Sequence, residues 1–155
     1  MTGMAIHRTE DVPGRSPEQV RAQLLDPRTW QRYAELTHAL TYQLELLEGP
    51  PGTHLHRVMP TDGLPGAARG VLGDRLEITE EVRWTGSTAG TLTAEVPQVG
   101  ARIAGTIVLA GTGDSTRLTV DAPNPSLPWK FKLFSGQVNE MVEAAVGKLG
   151  QALRG

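Results

Sequence analysis

SGQVNEMVEAAVGKLGQALRG, residues 135–155, is the longest segment of this chain with a helical apolar period. Val138, Met141, Val142, Ala145, Val146, Leu149, Ala152 and Leu153 recur at spacings of three and four, so eight apolar side chains share one stripe. Glu140 and Glu143 precede Lys148 and Arg154, the order that a helix dipole favours. Each larger side chain is worth about 1.5–3 kcal/mol when fully buried, so the helix needs a broad apolar surface beneath it. Gly147 and Gly150 each cost about 1 kcal/mol relative to alanine inside a helix. Close approach to a sheet, a bend, or a frayed end would each account for them.

The rest of the chain supplies that surface as alternating segments. Met4 to Glu10 reads as a first strand, with Met4 and Ile6 on one face. Ser16-Pro17-Glu18-Gln19 is a capping box with proline at the first helical position, and it opens a helix carrying Val20, Leu24 and Leu25. Asp26-Pro27 ends that helix and caps a second short one through Trp30 and Tyr33. The period then changes to two. Leu40, Tyr42, Leu44 and Leu46 alternate with polar residues, and Gly49-Pro50-Pro51-Gly52 turns the chain into Thr53–Pro60. In that partner strand Leu55, Arg57 and Met59 share one face, and His54, His56 and Val58 the other. Thr61–Gly73 is a connection with a turn of helix at Ala67-Ala68-Arg69.

Arg75–Trp84 is the clearest strand, with Leu76, Ile78, Glu80, Val82 and Trp84 in phase. Leu92, Ala94 and Val96 return from it, Ile103, Ile107 and Leu109 follow, and Gly111-Thr112-Gly113-Asp114 turns into Thr116–Ala122. Pro123, Pro125 and Pro128 then interrupt the chain. Trp129, Phe131 and Leu133 alternate with Lys130 and Lys132, which predicts a short edge strand, with a helix starting at Pro128 as the alternative. The expected fold is α+β: a curved antiparallel sheet of about six to seven strands round a long C-terminal helix, in one domain over residues 1–155.

Composition narrows the function. Net charge is −2 and arginine outnumbers lysine twelve to three without forming a basic face, so nucleic-acid binding is not expected. The absence of cysteine removes disulfides, thiol nucleophiles and thiolate metal sites together. No signal-peptide core stands at Met1–Glu10 and no apolar run approaches the ~18 residues of a membrane span, so a cytoplasmic protein with no integral membrane segment is expected. No cofactor motif is present, and the pattern carries no signal for oligomeric state.

Ser16-Pro17-Glu18-Gln19-Val20 after the first strand and Leu24-Leu25-Asp26-Pro27 closing the helix resemble the START-like, or SRPBCC, superfamily. The middle of the chain resembles one mostly actinobacterial domain-of-unknown-function branch of it. Met59-Pro60, Gly63-Leu64-Pro65, Ala68-Arg69, Leu72-Gly73, Trp84 and Gly113-Asp114-Ser115-Thr116-Arg117-Leu118-Thr119-Val120 carry that likeness. The resemblance implies a helix-grip fold with a hydrophobic cavity between sheet and helix. It carries over no catalytic residue, because that branch has no assigned reaction. Pro123-Asn124-Pro125 departs from the branch by breaking a strand expected to continue, in a region that often walls the cavity mouth.

Glu80 is the candidate for chemistry. Strict alternation points its carboxylate at the concave face, where it needs a partner or stays protonated and can serve as a general acid or base. A bulge at Glu80-Glu81 would instead return both carboxylates to solvent. Arg57 presents the same choice between pairing with Glu80 and facing water. His54-x-His56 supplies two imidazoles where zinc wants three or four ligands, so no metal is expected. Ser135-Gly136 lacks the strand-turn context of a nucleophile elbow, and the glycines around Thr112 precede a strand rather than a helix N-terminus.

The expected function is binding of a small hydrophobic molecule, such as a lipid, polyketide or isoprenoid-like compound. Tyr42, Arg57 and Glu80 would orient it. Leu76, Ile78, Val82, Trp84, Ile107, Trp129, Met141, Val142 and Ala145 would enclose it. A polyketide cyclase or aromatase using an inward Glu80, and a protein-partner or co-chaperone module, are the alternatives.

Overall fold

The structure is a computed structural model that describes residues 5–123 and 126–155, the side chain of Leu133 apart. The expected pairing of Met4 with Ile6 on one face and the proline break at Asn124-Pro125 lie outside the described residues. The elements run β1 (Ile6–Pro13), α1 (Pro17–Leu24), α2 (Pro27–Leu36), β2 (Thr41–Leu47), β3 (Gly52–Pro60), α3 (Gly66–Leu72), β4 (Arg75–Trp84), β5 (Ala89–Val96), β6 (Ala101–Thr112), β7 (Ser115–Ala122) and α4 (Ser135–Arg154). Short 3-10 helices stand at Pro97–Val99 and Trp129–Phe134.

The local signals act as read. Ser16 Oγ accepts from the Gln19 amide at 3.2 Å while Gln19 Oε1 accepts from the Ser16 amide at 2.8 Å, closing the capping box of α1. Asp26 caps α2 by accepting from the Arg28 amide. The Trp30 indole donates to the Leu24 carbonyl at 2.8 Å, which fixes the corner between the two helices. One region departs from expectation: Trp129–Phe134 is a 3-10 helix, not an edge strand. Among the described residues, the sheet contact beside it is a single bridge between Arg102 and Ser126, too little to seat another strand.

Seven strands form one antiparallel sheet in the order β1-β7-β6-β5-β4-β3-β2. The register between β3 and β4 runs without slippage from Gly52↔Arg83 to Pro60↔Arg75, so no bulge interrupts Glu80-Glu81 and alternation holds through both strands. Helix α4 lies along the concave side and approaches β1 closely: a Cβ added at Gly150 would fall 2.3 Å from Glu10 Oε1, and one at Gly147 would fall 2.8 Å from Arg8 Nη2. Close approach is therefore what these two glycines permit.

The two halves of α4 differ. Its C-terminal end is clamped: Arg32 donates to the Ala152 carbonyl from Nε and Nη2 at 3.1 and 3.0 Å, and Gln23 Nε2 and Arg15 Nη1 donate to the Leu153 carbonyl. These bonds satisfy carbonyls that a helix end leaves orphaned, with positive charge where the dipole favours it. Val146, Leu149, Ala152 and Leu153 are accordingly buried with Val12, Val20, Leu24 and Trp84. Val138, Met141, Val142 and Ala145 are only half-buried. Val138 and Val142 pack on Ile6, Ile103 and Ala122, and Ala145 on the main core, but this half of the stripe also borders open space. This is the helix-grip arrangement, with the sheet holding the helix at one end and parting from it at the other.

Candidate functional site

A cavity of about 380 Å³ occupies that space. Its floor is the inward face of the sheet, including Leu76, Ile78, Val82, Leu92, Ala94, Ile103, Ile107 and Val120; α4 covers it with Val138, Met141, Val142 and Ala145. Leu64, Ala68, Val71 and Leu72, on and just before α3, form one side wall, and Leu36 of α2 and Phe131 and Phe134 line it further. Thr61 holds the α3 segment at its base, donating from Oγ1 to the Gly73 carbonyl at 2.6 Å. The lining is almost wholly apolar, as expected of a pocket that excludes water from a hydrophobic guest.

Thr37, His38, Arg102, Gln137 and Lys148 also line the cavity, all exposed or half-exposed, and one buried polar corner interrupts its apolar wall. Arg57 and Glu80 project from adjacent strands into the concave face, and α2 brings Tyr33 above them. Arg57 Nε donates to Glu80 Oε1 at 2.5 Å, and the Tyr33 hydroxyl donates to Glu80 Oε2. The guanidinium carbon also lies 4.9 Å from the Tyr33 ring centroid, a cation–π contact. Arg57 is 3% exposed. Burial opposes its charge, but the Glu80 carboxylate and Tyr33 outweigh that and hold the guanidinium pKa above its ordinary value. Arg57 Nη1 meets the Met59 thioether at 3.3 Å and the guanidinium also engages the Tyr33 hydroxyl, so Glu80, Met59 and Tyr33 occupy three of its five N–H donors. The corner is thus neutral overall, fully braced at the carboxylate, and retains a spare donor on a residue that lines the cavity.

Burial, and then the Glu80 charge, push the Tyr33 phenol well above the usual tyrosine range. A proton held more tightly in the folded than in the unfolded chain contributes stability that is complete below about pH 10 and is lost as pH rises through the folded value. The phenolate absorbance of Tyr33 should therefore appear only with unfolding in an alkaline titration. Tyr33→Phe should remove that late component, and its persistence in the variant would assign it elsewhere.

The cavity gathers Arg57, Leu76, Ile78, Glu80, Val82, Ile107, Met141, Val142 and Ala145, and leaves out Tyr42, Trp84 and Trp129. Tyr42 has the expected phase, opposite Arg57, but β2 is the edge strand and its ring remains 39% exposed. Leu40 and Leu46 on that strand are exposed for the same reason, so β2 is less buried than its alternation predicts. Trp84 keeps step with Val82 yet lies beyond the cavity's end, packed in the core with the Arg21 guanidinium 5.7 Å from its ring. Trp129 points to solvent from the 3-10 helix. His54 and His56 occupy the outer face, paired with Glu81 and Glu77 at 3.1 and 3.3 Å. Tyr33 is the functional side chain that sequence reasoning missed: it reads as an apolar-stripe residue three positions after Trp30, and only its hydroxyl hints at a polar partner.

A family model described as "Protein of unknown function (DUF2505)" matches residues 9–153. The chain belongs to the DUF2505 family. A comparison with curated proteins gives no match. Among solved structures, this DUF2505 chain is similar to a START superfamily protein from Mycobacterium smegmatis, at 15% identity and TM-score 0.61, covering 98% of this chain and 95% of the other. Norcoclaurine synthase from Thalictrum flavum aligns at 17% identity and TM-score 0.62, covering 97% and 84%. The Zhui aromatase/cyclase from a Streptomyces species, R1128, aligns at 18% and 0.55, covering 97% and 88%. These likenesses establish the START-type helix-grip fold for the DUF2505 chain. Among the described residues, no helix is long and apolar enough to cross a membrane.

Proposed function

We propose that the cavity binds a small, neutral, largely apolar molecule that carries an oxygen acceptor at one end and seats it on Arg57. The spare Arg57 donor, on the one buried cation of a mainly apolar chamber, carries this reading. Glu80 already balances the guanidinium charge, so a guest carboxylate at the corner would stand there as an uncompensated buried anion, at a cost of several kcal/mol. A ketone, ester or hydroxyl oxygen carries no such penalty. Of the other cationic lining groups, Arg102 is exposed and paired with Glu95 at 3.1 Å, whereas Lys148 is half-exposed, so an acidic head would be drawn to Lys148 instead.

Displacement of the neutral fluorophore Nile red by alkane, methyl ketone and carboxylic acid chains of equal length tests this. The ketone should displace it at least tenfold more effectively than the alkane or the acid. Equal displacement by ketone and alkane would remove the role of Arg57, and no displacement by any chain would remove the binding function.

A cyclase-like reaction is the second reading, supported by the fold of the aromatase/cyclase relative and by a proton-bearing Tyr33 on a carboxylate. Both Glu80 oxygens are engaged, however, one by Tyr33 and one by Arg57, which leaves no unoccupied base aimed at a guest. The geometry favours holding a molecule over deprotonating it.

A further inference from the structure

A 3-10 helix has about three residues per turn, so in Trp129–Phe134 the pair Phe131 and Phe134 shares one face while Trp129 and Lys132 share another. Phe131 and Phe134 line the cavity. Trp129 is 84% exposed, the most exposed large apolar side chain among the described residues. Lys130 and Lys132 are exposed beside it, Lys130 with its ammonium 5.4 Å from the Phe131 ring centroid, and among the described residues no carboxylate pairs with either. The rim continues from here. Pro128 packs against Gly100, where an added Cβ would lie 3.1 Å from Pro128 Cγ. Gln98, two residues earlier, donates to the Leu72 carbonyl at 3.3 Å and the Arg75 carbonyl at 2.8 Å, tying this edge to the end of α3. There Val71, also a cavity-lining residue, is 51% exposed.

We propose that this rim docks on the surface of an anionic lipid bilayer, with the Trp129 ring at headgroup level and Lys130 and Lys132 on the lipid phosphates. Indole prefers the membrane–water interface, and lysine stems lie along apolar surface while their ammonium groups reach anions. A single projecting indole on a short turn offers a folded protein partner little area to pack against, whereas a bilayer moulds to it. Docking needs no bound guest, so it stands apart from the cavity reading.

The protein carries its own reporter. Trp30 and Trp84 are 3% and 2% exposed, so Trp129 supplies the solvent-sensitive part of the tryptophan emission. Adding phosphatidylcholine vesicles that contain phosphatidylglycerol should shift the emission to the blue and sediment the protein, and phosphatidylcholine alone should do so far less. Lys130→Gln with Lys132→Gln should lower partitioning roughly thirtyfold, at about 1 kcal/mol for each charge removed near an anionic surface. Trp129→Phe should abolish the shift and weaken sedimentation. These side chains are exposed, so circular dichroism should be unchanged. No shift and no sedimentation with anionic vesicles, or wild-type sedimentation by the triple variant, would overturn the proposal.

Discussion

Arg57→Met should destabilise the protein by on the order of 3–5 kcal/mol, read from urea unfolding at neutral pH. The expectation follows from what the substitution leaves behind. Glu80 stays on the inward face with its side chain only 12% exposed, and with the Tyr33 hydroxyl as its remaining partner. A single neutral donor does not replace an ion pair in low dielectric, and rigid strand register prevents the carboxylate from swinging to water. The loss measures a stranded charge, not the worth of the pair. Arg57→Met combined with Glu80→Gln should therefore recover most of the stability, because the amide oxygen still accepts from Tyr33 and no charge is buried. An Arg57→Met cost below about 1 kcal/mol, the range of exposed ion pairs, would mean that water reaches the corner freely and that the cavity's polar end is solvent.

That corner also marks how far the sequence can be read. The β4 strand is legible from Arg75 to Trp84 because one side of it is apolar except at Glu80, which stands out as the one carboxylate in phase with Leu76, Ile78 and Val82. The pairing with Arg57 needed only the assumption that neighbouring strands share their inward face. Tyr33 was not legible, because its partner lies 47 residues away on another element and its position on α2 satisfies a helical core period equally well. Periodicity reports which face a residue takes, not how far along the element the cavity extends. Hence Trp84 and Tyr42 have the right phase and the wrong place: one is beyond the packed end of the chamber, the other on an edge strand where its ring stays exposed. The α3 wall was visible only as a short helical turn, since none of its seven residues is buried and no amphipathic stripe announces it. Glycine spacing in α4 hinted at close contact, but the identity of the contact, Glu10 and Arg8, is a tertiary fact.

Ala145→Phe should block binding of Nile red by about a hundredfold or more while leaving the protein as stable as before or more so. Ala145 sits on the half of α4 that covers the cavity, half-buried, packed against the main core on one side and lining the cavity on the other. A benzyl group there occupies volume that a guest would need. If that volume is empty in the unliganded protein, filling it restores lost dispersion contacts and stabilises the fold by about 1–2 kcal/mol. If the helix and sheet are instead in contact, the same substitution overpacks the core and costs about 1–3 kcal/mol. The two cases thus differ in the sign of the stability change, which thermal unfolding reads directly. Loss of binding with a gain in stability identifies the chamber under α4 as the place where the guest resides, because the Arg57–Glu80–Tyr33 corner is untouched by the substitution. Loss of both would show a packed interface disrupted, and retention of binding would put the guest elsewhere on the protein.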